Sequence, residues 1–203
     1  MAKQTELKSD RRAKIERKTS ETAIIVDLSL DGDGTSEIVT GVGFFDHMLT
    51  QIARHGLLKL SLKADGDLRI DDHHTVEDVG IALGTALKDA VGNKAGIVRY
   101  GHAFVPMDEA LVLCALDFSG RGHLEFDLVF DSPKIGTFDS ELVVEFFRAV
   151  AINAQMTLHI KQFAGRNAHH ICEAAFKAFG RALDMATGYD SRVTGVPSSK
   201  GSL

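Results

Sequence analysis

Tryptophan is absent from the 203 residues, proline occurs three times and cysteine twice. The first two scarcities exclude nothing by themselves. The third does: Cys114 and Cys172 cannot build a disulfide framework, which points to a reducing compartment and a cytoplasmic protein. No apolar run reaches the length of a membrane span, so none is expected. The opening residues MAKQTELKSDRRAKIERK hold no apolar segment, so no secretory leader is expected there. A surplus of positive charge is also lacking. Lys and Arg number 23 against 28 Asp and Glu, a net charge of -5, which argues against a whole-surface nucleic-acid binder. What remains is ordinary globular composition, 44% hydrophobic and 25% charged, long enough to bury a core as one domain or two small ones. Histidine is the exception, with nine residues that are not scattered at random.

Residues 1–19 are polar and basic with little apolar period, and read as a flexible lead-in. Nothing else in the chain supports reading them as a nucleic-acid arm. After them, strand and helix patterns alternate. Residues 22–30 are rich in β-branched side chains and end at Asp31-Gly32-Asp33-Gly34, a hairpin signal, with 37–40 as the return strand. A helix is predicted over 44–54, a one-sided strand over 58–63, and a helix over 73–91 that stops at Gly92. The second half repeats the order: strand 110–116, turn Ser119-Gly120-Arg121-Gly122, strand 123–128, helix 141–153, strand 156–161, helix 168–186. The repeat also shows in residues. HHTVEDVGIALGTAL at 73–87 aligns with HHICEAAFKAFGRAL at 169–183, matching His73 to His169, His74 to His170, Glu77 to Glu173 and Gly84 to Gly180. The expected fold is α+β: one domain of two pseudo-symmetric ββαβα halves, about 20–95 and 106–188, sheets packed against helices. Residues 189–203 form a C-terminal tail.

The motif His-His-x-x-Glu therefore opens two helices. At each helix start the second His and the Glu are three residues apart and the first His and the Glu four, so all three share one broad face. Adjacent histidines diverge by about 100°, because a helix has 3.6 residues per turn. They suit two neighbouring ions better than one, each ion taking one His from each motif. Imidazole and carboxylate without thiolate favour Mn²⁺, Fe²⁺ or Co²⁺ over a closed structural zinc. His47 and, at the matching position of the second half, Glu145 are further ligand candidates. His55, at a helix end, is read equally as a dipole partner or as a substrate contact. Cys172, whose repeat partner is Val76, reads as a core residue, and His102, His123 and His159 read as exposed strand positions. Arg99, Arg121, Lys177 and Lys200 are candidate anion holders, helped by the small polar tail around Ser199. Glu21 and Asp108 are taken as repeat equivalents, each just before a strand, and are candidates for substrate hydrogen bonding or proton transfer. Residues alone lead to a metal-dependent enzyme on an anionic substrate. A dinuclear metallohydrolase and a non-catalytic metal-storing shell stay open.

The segments GFFDHMLTQIARHG, DDHHTVEDVGIALG, PMDEAL, DFSGRG, MTLHIKQFAGRNAHHICEAAFKAFGRAL and SSKG, in this order, resemble the imidazoleglycerol-phosphate dehydratase family of histidine biosynthesis, in its monofunctional form. The resemblance spans about residues 18–201. It implies the ribosomal protein S5 domain 2-like fold, a homo-oligomeric 24-subunit shell and active sites completed between subunits, each with two Mn²⁺. It implies His47, His73, His74, Glu77, His169, His170 and Glu173 as metal ligands. Position 145 is a further ligand position, where many members carry His in a Glu-His-Phe-Phe run and this chain has Glu145. It implies Glu21, Gln51, His55, Arg99, Arg121, Lys177, Ser199 and Lys200 as substrate contacts. Glu21, His55, Asp108 and Glu173 form the candidate catalytic group. The implied reaction is dehydration of imidazole-glycerol phosphate, with two cations on the ring nitrogens stabilising an imidazolate that expels a side-chain hydroxyl. No nucleic-acid or membrane partner is expected.

Overall fold

The computed structural model describes residues 11–201. The first half contains β1 (Arg12–Lys18), β2 (Thr22–Ser29), β3 (Ser36–Val39), α1 (Gly43–His55), β4 (Lys59–Gly66) and α2 (His73–Val91). The second contains β5 (Tyr100–Met107), β6 (Ala110–Asp117), β7 (His123–Asp127), a short β8 (Lys134–Ile135) and β9 (Phe138–Asp139), α3 (Leu142–Asn153), β10 (Thr157–Ala164) and α4 (Ala168–Thr187). Two mixed four-stranded sheets result, ordered β1-β2-β4-β3 and β5-β6-β10-β7, and they hold four helices between them. Period-2 alternation explains the strands: in β4 Leu60, Leu62 and Ala64 are buried, while Lys59, Ser61, Lys63 and Asp65 face solvent. Period 3.6 explains the helices: Phe45, Met48, Leu49 and Ile52 of α1 are all fully buried. Among the described residues no helix is long and apolar enough to cross a membrane. Cys114 and Cys172 are free and buried.

The α+β architecture of two similar halves is as expected, with three corrections. Each four-stranded sheet has one strand more than ββαβα supplies, β1 and β5, both at sheet edges, and the second half adds the small β8–β9 pair. The lead-in read at 1–19 is a strand from Arg12; its first ten residues lie outside the described residues. In β1 the outward Arg12, Lys14, Glu16 and Lys18 mask the inward Ala13 and Ile15. In β5, Pro106 lacks an N–H, which only an edge strand tolerates. The third correction concerns the turn at 31–34, which is not a hairpin, and the matching turn at 119–122 behaves alike. β2 pairs antiparallel with both β1 and β4, and β3 crosses to lie parallel to β4. In the same way β7 lies parallel to β10 rather than against β6. Local turn chemistry is as read, since Gly34 and Gly120 have φ of 82° and 77°. It cannot say which strand the chain joins after the turn.

Helices of one half pack on helices of the other: α1 on α4 and α2 on α3. Both crossings turn on a glycine. A Cβ on Gly180 would sit 2.7 Å from the Ile52 carbonyl oxygen and 3.0 Å from the Gly56 nitrogen. A Cβ on Gly84 would sit 2.7 Å from the Val150 oxygen and 3.1 Å from the Ala154 nitrogen. The pseudo-twofold thus extends to backbone atoms, and the two halves share one core. Around it Phe147 stacks obliquely on Phe176, with centroids 4.8 Å apart. Gly180→Ala should lower the thermal midpoint. Alanine gains about 1 kcal/mol over glycine in a helix, but overpacking against main chain on two sides costs up to about 3 kcal/mol. Circular-dichroism melting checks this, and a midpoint equal to or above that of the parent contradicts it.

Candidate metal centre

Both helix starts that carry His-His-x-x-Glu are built by local hydrogen bonds. Asn167 caps α4, its side-chain oxygen accepting from the backbone N–H of His169 at 2.9 Å and His170 at 3.4 Å. At α2, Asp71 accepts from the His73 N–H at 2.9 Å. α1 is entered through Asp46, which accepts from the Thr40 backbone N–H at 2.9 Å and from its hydroxyl at 2.6 Å. The crossing at Gly180 then brings His47, on the second turn of α1, over the start of α4.

There His47 Nε2 lies 3.2 Å and His169 Nε2 3.0 Å from the same oxygen of Glu173. Their ligand atoms all lie within 4.8 Å of one another. The other Glu173 oxygen takes the Lys177 ammonium at 2.7 Å. Glu173 is 6% exposed. Burial opposes its charge, but hydrogen bonds from Lys177, His47 and His169 and the Lys177 charge prevail and hold the carboxyl at about 2. Phe44 meets His169 edge-on at 5.3 Å and leans on Phe138 of the β8–β9 hairpin at 5.4 Å, which steadies the imidazole. Gln51, one turn beyond His47, lies 3.4 Å from its Nδ1. His55 ends the same helix; burial and the nearby Lys177 and Arg181 charges lower its pKa and keep it neutral.

The second histidine of each motif is held differently. His170 Nδ1 lies 2.7 Å from Glu109, and His74 Nδ1 lies 3.0 Å from Asp67. A carboxylate on Nδ1–H fixes the tautomer and turns the Nε2 lone pair outward, as metal-binding histidines require. The hydrogen bond to His170, and then those from the Asn167 and Arg166 backbone, hold the Glu109 carboxyl at about 2. The rings of neighbouring histidines stand nearly perpendicular, at 81° for His73 and His74 and 82° for His169 and His170, with centroids 6.3 and 6.1 Å apart.

Among the described residues one cluster of converging ligand atoms forms: His47, His169 and Glu173. No cluster takes atoms from both motifs, so the expected pairing of one His from each is not met within one chain. The reason is the helix pairing, which sets α4 against α1 and α2 against α3. At the α2 start, His73 Nε2 is 3.8 Å from Glu77, and Glu21 is 3.8 Å from His74 Nδ1. Glu145 lies in the first turn of α3, where its carboxylate bonds to Arg148. Asp108, with φ of 47°, is 3.6 Å from His170 Nε2.

Arg99, Arg121, Ser199 and Lys200 do converge, lining a cleft of about 490 Å³ with Tyr100, Ser119, Gly120 and Ser198. Arg99 is braced by two bonds to Asp117, at 2.7 and 3.0 Å, and by one to the Pro197 carbonyl at 2.8 Å. The tail is tied down by the Gly96 N–H donating to the Gly195 carbonyl at 2.8 Å. Lys177 does not line this cleft within one chain; its ammonium is held by Glu173 at 2.7 Å. His102, His123 and His159 are exposed strand positions and Cys172 is a core residue, as read from the sequence.

Sequence reasoning missed Asp67, Glu109 and Asn167. It also paired Glu21 with Asp108, whereas strand register pairs it with Glu109. Arg12 opposite Ser29 and Tyr100 opposite Asp117 set the two halves 88 residues apart, and Glu21 plus 88 is Glu109. The same offset between the DGDG and SGRG turns was the available signal.

Residues 40–183 match the family described as imidazoleglycerol-phosphate dehydratase. The imidazoleglycerol-phosphate dehydratase of Desulforamulus reducens is 63% identical over 96% of this chain and 99% of its own. That of Acetivibrio thermocellus is 61% identical over 96% of this chain and all of its own. The crystal structure of the Staphylococcus aureus enzyme superposes with a TM-score of 0.80 at 44% identity, covering 88% of this chain and 99% of that one. The Pyrococcus furiosus enzyme, in complex with (S)-C348, gives 0.81 at 40% identity, covering 93% of this chain and all of that one. From the site geometry, Glu109→Gln should lower the His170 pKa towards the ordinary imidazole value, because the hydrogen bond to Glu109 raises it first of all. An NMR titration of the metal-free protein checks this; an unmoved His170 contradicts the assignment.

Proposed function

The chain belongs to the imidazoleglycerol-phosphate dehydratase family, hydro-lyases of histidine biosynthesis, and on that premise we propose that it converts D-erythro-imidazole-glycerol phosphate to imidazole-acetol phosphate with two Mn²⁺ per active site. What carries the metal reading is the single Glu173 oxygen shared by two Nε2 atoms. The donor set supports it: imidazole and carboxylate converge, and burial pushes the neighbouring Cys172 thiol up, which removes thiolate from competition. His47, His169, His170 and Glu173 would hold metal from one side, and His73, His74 and Glu77 from the other, with Glu145 as a further oxygen ligand. Bound Mn²⁺ supplies Lewis acidity and a template for the substrate imidazole.

The reaction removes a hydroxyl from the carbon beside the ring and a proton from the next carbon, and the resulting enol becomes the ketone. Glu21, Asp108 and neutral His55 are the groups that move protons. Arg99, Arg121, Ser199 and Lys200 hold the phosphate and thereby align the reacting carbons. Lys177 keeps Glu173 ionised, and Gln51 backs His47. Each chain offers two half-sites rather than a whole one, which supports completion between subunits of a homo-oligomer and the 24-subunit shell. Two free buried cysteines support a cytoplasmic setting.

Two experiments test this reading. Glu77→Gln and Glu173→Gln, each folded, should each lose turnover and bound manganese together. Dissociated and reassembled as an equal mixture, they should regain activity, because about a quarter of inter-subunit sites then carry both glutamates. Sites contained within one chain would regain none. Arg121→Ala should raise KM about tenfold or more, the cost of one charged hydrogen bond, with bound manganese unchanged. Product assay closes the question, since dehydration yields a ketone and releases no phosphate.

A further inference from the structure

The two halves differ in one polar cluster between helix and sheet, with Thr22 and Asp78 buried and Arg17 partly so. In the first half Asp78, on α2, accepts from the Thr22 hydroxyl at 2.5 Å and from Arg17 at 2.6 Å. Thr22 is 3% exposed and Asp78 7%. The matching positions of the second half, set by the strand register and the helix alignment, are Ala174 for Asp78, Ala110 for Thr22 and Val105 for Arg17. All three are buried. The same place in the same fold is therefore filled by apolar residues once and by an ion pair once. Arg17 is about a third exposed, and an ion pair withdrawn from water even in part is commonly no more stabilising than apolar side chains of similar volume. The fold does not require this one.

Its neighbours indicate what it is for. Thr22 follows Glu21, and Asp78 follows Glu77. The cluster bolts the β1–β2 turn to the first turns of α2. The matching carboxylate of the second half, Glu109, is bound directly to its histidine at 2.7 Å. Glu21 is not: Asp67 occupies His74 Nδ1, and Glu21 stands off at 3.8 Å with its side chain half exposed. It is thus free to meet a substrate and needs a separate device to hold it there. The turn supplies part of that, with the Glu21 and Thr22 backbone N–H groups donating to the Thr19 hydroxyl at 3.1 and 3.0 Å.

We infer that the partly buried Arg17–Asp78–Thr22 cluster is a positioning device, which holds Glu21 over the His73–His74–Glu77 half-site for proton transfer to or from the substrate. The inference rests on the dehydratase reading above. The decisive variant transplants the second half's own solution: Arg17→Val/Thr22→Ala/Asp78→Ala, in the full chain loaded with Mn²⁺. Its thermal midpoint and bound manganese should match the parent. Its kcat should fall about tenfold to a hundredfold, the scale of a misplacement near 1 Å, with KM changed by less than about threefold. In a Glu21→Gln background the same three changes should lower kcat no further, because the cluster acts through Glu21. Parental kcat in the transplant overturns the inference, as does an equal loss in the Glu21→Gln background. A transplant that fails to fold assigns the cluster to stability and overturns it too. Thr22→Ala alone, which keeps the ion pair, should still lower kcat, and an unchanged value counts against the inference. Failure of the parent to turn over imidazole-glycerol phosphate is a separate result, which removes the dehydratase reading itself.

Discussion

Two places where helix backbones touch govern this molecule. At Gly180 the main chain of α4 meets α1, and at Gly84 that of α2 meets α3. Only a residue without Cβ permits the approach. Everything at the candidate centre follows from it. His47 reaches Glu173 because α1 lies that close to α4, and Glu173 can be both buried and ionised because His47, His169 and Lys177 surround it. Glu145 occupies the position on α3 that His47 occupies on α1, but its carboxylate bonds to Arg148 rather than to a residue of α2. A wider spacing would part the three ligands and leave a charged carboxylate without partners, a state that costs several kcal/mol.

The repeat makes two half-sites, and the departures from it divide their labour. Both motifs orient their second histidine through a carboxylate on Nδ1, but from different places in the fold. In the second half the β5–β6 turn provides it, through Glu109. In the first half Asp67, after β4, provides it and releases Glu21, the Glu109 counterpart. The first half also carries the Asp78 cluster where the second has Ala174. The second half thus binds its Glu109 directly to a histidine, whereas the first leaves Glu21 half exposed beside His74. Arg99, Arg121 and the 198–200 tail line a basic cleft apart from both helix starts.

Much of this was legible in the chain. The helices were placed nearly to the residue, because their buried stripes are long and strongly periodic. The twin His-His-x-x-Glu starts, His47 and its partner position 145 were found by alignment and spacing. The strands that escaped notice were edges: β1 hides its alternation behind outward charges, and β5 carries Pro106. The turns at 31–34 and 119–122 were recognised as turns, but the first was misread as a hairpin, since turn residues report φ and not the destination of the next strand. Asp67 and Glu109 escaped because a carboxylate that braces a histidine carries no motif of its own.

What the sequence determined by itself is local chemistry: which segments are helices, which residues can ligate metal, that the chain is doubled, and which family it belongs to. These depend on neighbours within a few residues, or on self-similarity that can be counted. Tertiary structure alone decided which ligands meet, which carboxylate braces which histidine, and that a single chain leaves its two motifs apart. Those outcomes depend on which helix crosses which. That was settled by backbone contacts between residues about a hundred positions distant, where no local pattern reaches.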